Sequence, residues 1–443
     1  MNESAFTHST TDLLARMRQA LAMRDADGAE RLAEIISVRE PSHVDAIGFL
    51  VAQALARGEI QRALNVARGA IHARPDSARL QFQFGLAQSA HGDHEAALRA
   101  FQAARERDPN LLAAPLWQAD CERALGRDDD ALRNQLRALH IAERSGLIPR
   151  IATLAPPIRE RIERAIVDVQ RARRLAIEPA LAPLRASFGA ASIARIDRAL
   201  ARLYGEPAPQ PTHPLQQPSL LFVPDLPDQA WFERIALPWL GELEAATDTI
   251  REELLGVLAD ESDLVPYVDM PDAAPAAAMW RSLNRSPAWS AYHLYRHGER
   301  VDAHCARCPK TVALLESLPL MRIPDHSPEI LFSVLKPRTH IPPHTGVING
   351  RLTVHLPLIV PGNCGALRAG DEQRPWRIGE CLVFDDSFVH EAWNDSNQTR
   401  VVLILDAWNP QLTEPERSAL SAAIAELGAF HRRYGGDDVT RES

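Results

Sequence analysis

The chain has 443 residues, enough for two or three domains with packed cores. Its 46% hydrophobic and 24% charged content are those of a globular protein, and a net charge of -9 argues against general nucleic-acid binding. No run of about 18 apolar residues occurs, so no membrane attachment is expected. The first residues, MNESAFTHSTTDLLARM, lack the basic region and apolar stretch of a secretory signal. Five scattered cysteines, an odd number, fit a reducing compartment, so a cytoplasmic location is expected. Two lysines, Lys310 and Lys336, stand against 47 arginines. With that bias, an arginine carries functional information only where a motif singles it out.

The first third, residues 10–145, repeats. Gly58, Gly92 and Gly126 are 34 residues apart, and so are Ala29, Ala63, Ala97 and Ala131, and Pro41, Pro75 and Pro109. A 34-residue period is that of the tetratricopeptide repeat, a pair of helices. The glycine permits the turn between helices, the alanine lets them approach closely, and the proline closes each unit. An arm of this kind stacks into a concave surface suited to an extended peptide or protein substrate. Residues 146–204, rich in Arg, Ala, Leu and Ile at helical spacing, predict a helical connector of two or three helices. The proline-rich stretch GEPAPQPTHPLQQPS (205–219) cannot continue a helix and reads as a linker.

From residue 220 to about 432 the texture changes to short β-prone runs: ILFSVLKP (330–337), RLTVHLPLIV (351–360), GECLVFDD (379–386) and TRVVLILDAW (399–408). Turn-forming clusters such as PGNCG separate them, which predicts an all-β-dominated sandwich or jelly roll. Flanking helices are expected at 229–258, 309–318 and 414–432. Two histidines, His344 in PPHTG and His390 in FDDSFVHEAWN, are expected in loops just after strands, 46 residues apart, converging at one mouth of the barrel. Neutral imidazoles there suit Fe(II). Arg400 heads the last strand, where its guanidinium would grip a dicarboxylate through paired hydrogen bonds, with Ser333 on a neighbouring strand as a second donor.

The block FSVLKPRTHIPPHTGVINGRLTVHLPLIVPGNC…GECLVFDDSFVHEAWNDSNQTRVVLILDAWNP closely resembles the core of the aspartyl/asparaginyl β-hydroxylases. AYHLYRHGERVDAHCARCPKT (291–311) resembles the approach to that core. The resemblance spans roughly 220–412. It implies a double-stranded β-helix (jelly roll, cupin-like) preceded by helical repeats, using Fe(II), 2-oxoglutarate and O2 to hydroxylate the β-carbon of an Asp or Asn in a peptide. His344 and His390 match the two iron ligands. Arg400 and Ser333 match the residues that hold the distal carboxylate of 2-oxoglutarate, and His355 one beside its other end. Arg351 matches an arginine that faces the substrate carboxylate.

The carboxylate ligand common in non-haem iron oxygenases would fall at Gly346, so the iron would have two protein ligands, as in that family. Asp385 and Asp386 either hold waters and orient His390, or serve a turn. The animal members differ from this chain at Leu331, Thr353 and His297, where they carry a lysine, a second arginine and a glutamine, which opens the question of substrate. Cys305 and Cys308 lack the second pair a zinc knuckle needs and are expected to be structural. Two alternatives remain: the same chemistry on a lipid or small molecule, and a non-enzymatic repeat scaffold with a degenerate jelly roll.

Overall fold

The structure is a computed structural model that describes residues 9–271 and 277–435. It divides into two compact units between Val169 and Gln170, within the helix Pro156–Phe188.

The first unit carries the repeat as helices α1 (Thr10–Ala22), α2 (Ala26–Arg39), α3 (Val44–Ala56), α4 (Ile60–Ala73), α5 (Ala78–His91), α6 (His94–Arg107), α7 (Ala113–Ala124) and α8 (Asp128–Arg144). Consecutive helices pack on one another. Ala29, Ala63, Ala97 and Ala131 are buried at the helix contacts, where a larger side chain would hold the backbones apart. Gly58, Gly92 and Gly126 follow α3, α5 and α7 with φ of 73°, 88° and 71°, the left-handed turn that glycine adopts without a steric penalty. Several starts are capped as the sequence dictates. The Ser9 hydroxyl accepts from Asp12 N–H in a capping box, and the Asp25 and Asp93 carboxylates accept from Gly28 and Ala96 N–H.

The second unit is β-rich. Its main strands are β1 (Trp289–Arg296), β2 (Ile330–Leu335), β3 (Thr339–His344), β4 (Arg351–Ile359), β5 (Ala366–Ala369), β6 (Glu372–Pro375), β7 (Leu382–Phe384), β8 (His390–Asn394) and β9 (Arg400–Trp408). The larger sheet runs Trp231–Phe232, β7, β4, β9, β2, β1, Val265–Pro266, with Glu299–Arg300 hairpinned onto β1; the smaller runs β3, β8, β5, β6. All pairings are antiparallel. Alternation along each strand sorts the two faces. Leu352, Val354, Leu356 and Leu358 of β4 pack with Leu243, Ile250, Leu254, Val312 and Leu315 of the helices Leu240–Ala245, Thr247–Leu258 and Pro309–Ser317. On the opposite face Trp289, Leu335, Phe384 and Val402 meet Ile341, Leu367, Ala369 and Ala392 of the smaller sheet. The intervening positions of β4, namely Arg351, Thr353 and His355, therefore point between the sheets.

Two expectations change. Residues 229–239 hold no α-helix, only the 3-10 turn Arg234–Ala236: Trp231–Phe232 pairs with Phe384 and Val383, and the α-helices begin at Leu240. The proline-rich stretch 205–219 does not hang free as a linker. It lies within the second unit, where Gln217 N–H donates to Ser387 O, Val389 N–H donates to Leu215 O, and Gln216 is buried. Prolines remove backbone donors without preventing such edge contacts. Residues 146–204 are helical, dominated by Pro156–Phe188. From Ile177 onward its apolar side chains pack with the C-terminal helix Glu414–Tyr434. Among the described residues no helix is long and apolar enough to cross a membrane.

Candidate active site

His344 and His390 come together, but not from loops. His344 ends β3 and His390 starts β8, and the two are register partners across the sheet. Their ring centroids are 4.0 Å apart. Pro342 and Pro343, which make this segment look like a loop in the sequence, are tolerated because β3 is the edge strand of its sheet. Each ring's Nδ1 faces a backbone carbonyl two residues earlier, His344 to Pro342 O at 2.8 Å and His390 to Phe388 O at 2.9 Å. A carbonyl only accepts, so each Nδ1 carries the proton and each Nε2 keeps its lone pair. Burial drops the His344 imidazole to about 3 and that of His390 to about 4, so both are neutral near pH 7. Two neutral imidazoles with fixed tautomers are a ready pair of metal ligands. Among the described residues no group of three or more His, Cys, Asp or Glu is arranged to hold a metal, so the pair would need other ligands from a cosubstrate or water.

Around the pair is an aromatic box that the sequence reading did not single out. The Trp280 ring meets His344 edge-on at 5.0 Å, and Phe384 lies 5.2 Å from both His390 and His355. Trp376 lies flat on His355 at 5.6 Å, and its other neighbour is Arg400, whose guanidinium sits 4.7 Å from the indole centroid. The box excludes water and lowers the local dielectric, which strengthens every charge interaction inside it.

Arg400 is the largest fully buried side chain, and its Nε has no hydrogen-bond partner. Burial lowers its guanidinium to about 10, the reverse of what a paired arginine shows. A buried cation without a counter-charge is an anion receptor held ready. Ser333 faces the same way, since it pairs with Val402, and Val402 and Arg400 alternate onto one face of β9. The Trp289 indole N–H donates to Ser333 Oγ at 3.0 Å, which leaves the hydroxyl hydrogen free to donate. His355, on β4 opposite Ile404, is buried with an unpartnered Nδ1, and burial followed by Arg400 pushes its pKa well down.

The other end of the same face is charged. Arg351 Nη2 donates to Asp386 Oδ2 at 2.6 Å, and Arg351 Nε stands 3.8 Å from Asp406 Oδ1. The two aspartates before His390 thus divide their roles. Asp385 serves the turn, accepting from Ser387 N–H and the Gln216 amide, and burial raises its carboxyl to about 8. Asp386 points to the site. A Cβ on Gly346 would stand 2.3 Å from the Asp386 Cγ and 2.4 Å from both its oxygens, so the space beside Gly346 is filled by the Asp386 carboxylate, which is tied to Arg351. Asp406 was findable from the sequence, because Arg400, Val402, Ile404 and Asp406 alternate along one strand. The Cys305 and Cys308 thiols are buried and unbridged, and Cys305 donates to Leu294 O, which fits packing alone.

Residues 244–410 match the aspartyl/asparaginyl β-hydroxylase family model, so this part of the chain is a domain of that family. It is 34% identical over 209 residues to the human aspartyl/asparaginyl β-hydroxylase, covering 46% of this chain and 26% of that protein. It is 33% identical over 216 residues to aspartate β-hydroxylase domain-containing protein 2 of Xenopus tropicalis, covering 48% and 55%. It is 32% identical over 201 residues to the ornithine lipid ester-linked acyl 2-hydroxylase of Rhizobium tropici, covering 45% and 66%. The shared stretch thus spans only part of each relative. A crystal structure of MamA overlaps 31% of this chain and 81% of its own at 19% identity, with a TM-score of 0.28.

Proposed function

We propose that the protein is an Fe(II)- and 2-oxoglutarate-dependent dioxygenase that hydroxylates the β-carbon of an Asp or Asn side chain in a peptide, working in the cytoplasm. We read its two facing sheets as a double-stranded β-helix. The observation that carries the reading is the pairing of two neutral, tautomer-fixed histidines with an uncompensated buried arginine in one aromatic box. A dianion is needed to complete that arrangement, and a dicarboxylate of short length suits it. The donor set fits the metal: two imidazoles of borderline softness suit Fe(II), and the anionic cosubstrate supplies the neutralising charge.

In this reading His344 and His390 hold the iron through Nε2. Arg400 and the Ser333 hydroxyl bind and orient the distal carboxylate of 2-oxoglutarate, and His355 stands beside its other end. Trp376, Phe384 and Trp280 exclude water from the reacting centre. Arg351, held by Asp386, lines the approach of the substrate side chain. Bound there, Fe(II) and 2-oxoglutarate would supply the oxidising chemistry, with O2 giving one oxygen atom to succinate, formed with loss of CO2, and the other to a substrate C–H bond. The repeat arm presents a surface for the peptide chain and performs no chemistry. The acyl 2-hydroxylase relative favours a second reading, the same chemistry on a lipid.

Incubation of the Fe(II)-loaded full chain with 2-oxoglutarate, O2 and peptides from the host's own proteome tests the first reading. A gain of one oxygen on an Asp or Asn side chain, matched by succinate, is the expected result by mass spectrometry. Succinate formation stimulated by extracted lipid and never by peptide would replace it with the second.

A further inference from the structure

On the peptide-hydroxylase reading the wall beyond the histidine pair would receive the substrate side chain, and its charge is wrong for a carboxylate. Register places Thr353 opposite Asp406, Ile404 between His355 and Leu331, and His293 opposite Leu331 on one continuous inner face. Arg351 belongs to that face, and Glu329, two residues before Leu331, continues it. One guanidinium, paired with Asp386 and Asp406, therefore shares this face with a third carboxylate, Glu329, which stands apart from it beside His293 and His297, while Leu331 and Thr353 add no charge.

Arg351 is already committed to Asp386 at 2.6 Å and approached by Asp406 at 3.8 Å. Asp406 is itself fixed by Ser327 Oγ–H and Glu329 N–H, both donating to Oδ2. Glu329 is left over. His293 Nδ1 lies 3.6 Å and His297 Nδ1 3.2 Å from its oxygens, and the His297 backbone N–H donates to it. Burial alone would raise its carboxyl, but the neighbouring imidazoles of His293 and His297 and the His297 backbone N–H hold it down to about 2, so it stays ionised. Its side chain is 23% exposed and open to an incoming group. The Tyr267 hydroxyl stands in the combined field of Glu329, Arg351, Asp406 and Asp386, which marks them as one electrostatic neighbourhood.

An independent observation concerns Asp386. Its side chain is only 9% exposed, yet its Oδ1 has no hydrogen-bond partner, and neither has the adjacent Arg351 Nε. The wall thus holds one unfilled acceptor beside one unfilled donor, both buried in the ligand-free protein. A carboxylate only accepts, whereas a carboxamide both donates through its NH2 and accepts through its oxygen. A carboxylate would also add a fourth negative charge in a water-poor setting, where repulsion is strong.

We propose that this site selects asparagine over aspartate and that Glu329 is its specificity-determining residue, acting by charge at the wall that meets the substrate side chain. This rests on the peptide-hydroxylase reading above. The test uses the full chain under anaerobic conditions at pH 8, where ordinary imidazoles are neutral. Fe(II) and 2-oxoglutarate are added first and their binding confirmed by calorimetry; failure at that step would count against the hydroxylase reading itself. The loaded protein is then titrated with two N-acetylated, C-amidated pentapeptides that differ only in a central Asn or Asp between glycines. The Asn peptide is expected to bind at least ~10-fold more tightly. Glu329→Gln keeps the backbone N–H to Asp406 and an oxygen for His297 N–H, and should bring the two affinities within ~3-fold, by improving the Asp peptide. Equal or tighter binding of the Asp peptide by the unsubstituted protein, no binding of either, or an unchanged ratio in folded Glu329→Gln would overturn the proposal. The unsubstituted protein's ratio decides the selectivity even if the variant does not fold.

Discussion

Exchanging Arg400 for methionine should raise the melting temperature of the ligand-free protein and remove its stabilisation by 2-oxoglutarate. The side chain is 1% exposed, its Nε has no partner, and burial lowers its guanidinium to about 10. No carboxylate repays the desolvation; only the Trp376 face at 4.7 Å does so in part. A hydrophobic side chain of similar length removes the unpaired charge and keeps the packing, a change that stabilises by about 1–4 kcal/mol in comparable buried sites. The same exchange deletes the charge-assisted pair with the cosubstrate, about 1.5–3 kcal/mol per hydrogen bond, so Kd for 2-oxoglutarate should rise by roughly tenfold to more than a hundredfold. Arg400→Gln should lose that affinity too, with Fe(II) affinity nearly unchanged in both variants. Scanning calorimetry and titration read the two effects separately. A lower melting temperature in Arg400→Met, or an equal loss of Fe(II) affinity, would make Arg400 a structural residue.

Gly346→Ala and Gly346→Asp should both destabilise the second unit strongly. The sequence reading treats position 346 as a missing ligand that an aspartate would restore. The structure puts the Asp386 carboxylate 2.3–2.4 Å from any Cβ there, and Gly346 N–H donates to Asp386 O at 2.6 Å, so the two backbones cannot part easily. The φ of Gly346 is not in the left-handed region, so the cost is contact and not backbone strain. Overpacking of this kind costs about 1–3 kcal/mol. Pushing Asp386 off the buried Arg351 adds up to about 3–5 kcal/mol, reduced by the Asp406 carboxylate that stays 3.8 Å from the guanidinium. Urea unfolding measures the sum, and a double-mutant cycle assigns it. Gly346→Ala should cost far less in an Asp386→Ala background. Strict additivity would mean that the two positions do not meet.

The parts of the fold that come from short-range rules were legible in the sequence. The 34-residue spacing of Gly92 and its equivalents reports a left-handed turn, and the buried Ala97 series reports helix contact; both are local requirements. The four β-prone runs became β2, β4, β7 and β9 because alternation is visible wherever one face is apolar. His344 and His390 were legible as a pair, but not as strand residues, because Pro342 and Pro343 mimic a loop until the edge position of β3 is known. Long-range contacts were not legible. That Gln216 and its neighbours lie along the segment before His390, that Asp386 fills the space over Gly346, and that Trp376 joins His355 to Arg400 all depend on how distant segments stack. The one missed feature that the sequence did carry is Asp406, two strand periods beyond Val402.

The central claim is that His344 and His390 hold Fe(II) and that Arg400 adds 2-oxoglutarate to it. Anaerobic calorimetry of the full chain with Fe(II) alone, 2-oxoglutarate alone and both together tests it most directly. At about 100 times Kd, a ligand specific for the folded state adds about 2.7 kcal/mol, so both together should raise the melting temperature clearly above either alone. His344→Ala and His390→Ala should each lose the iron-dependent shift and, with it, the added effect of 2-oxoglutarate. An unchanged melting temperature in the unsubstituted protein, or a full shift retained in both histidine variants, would contradict the account.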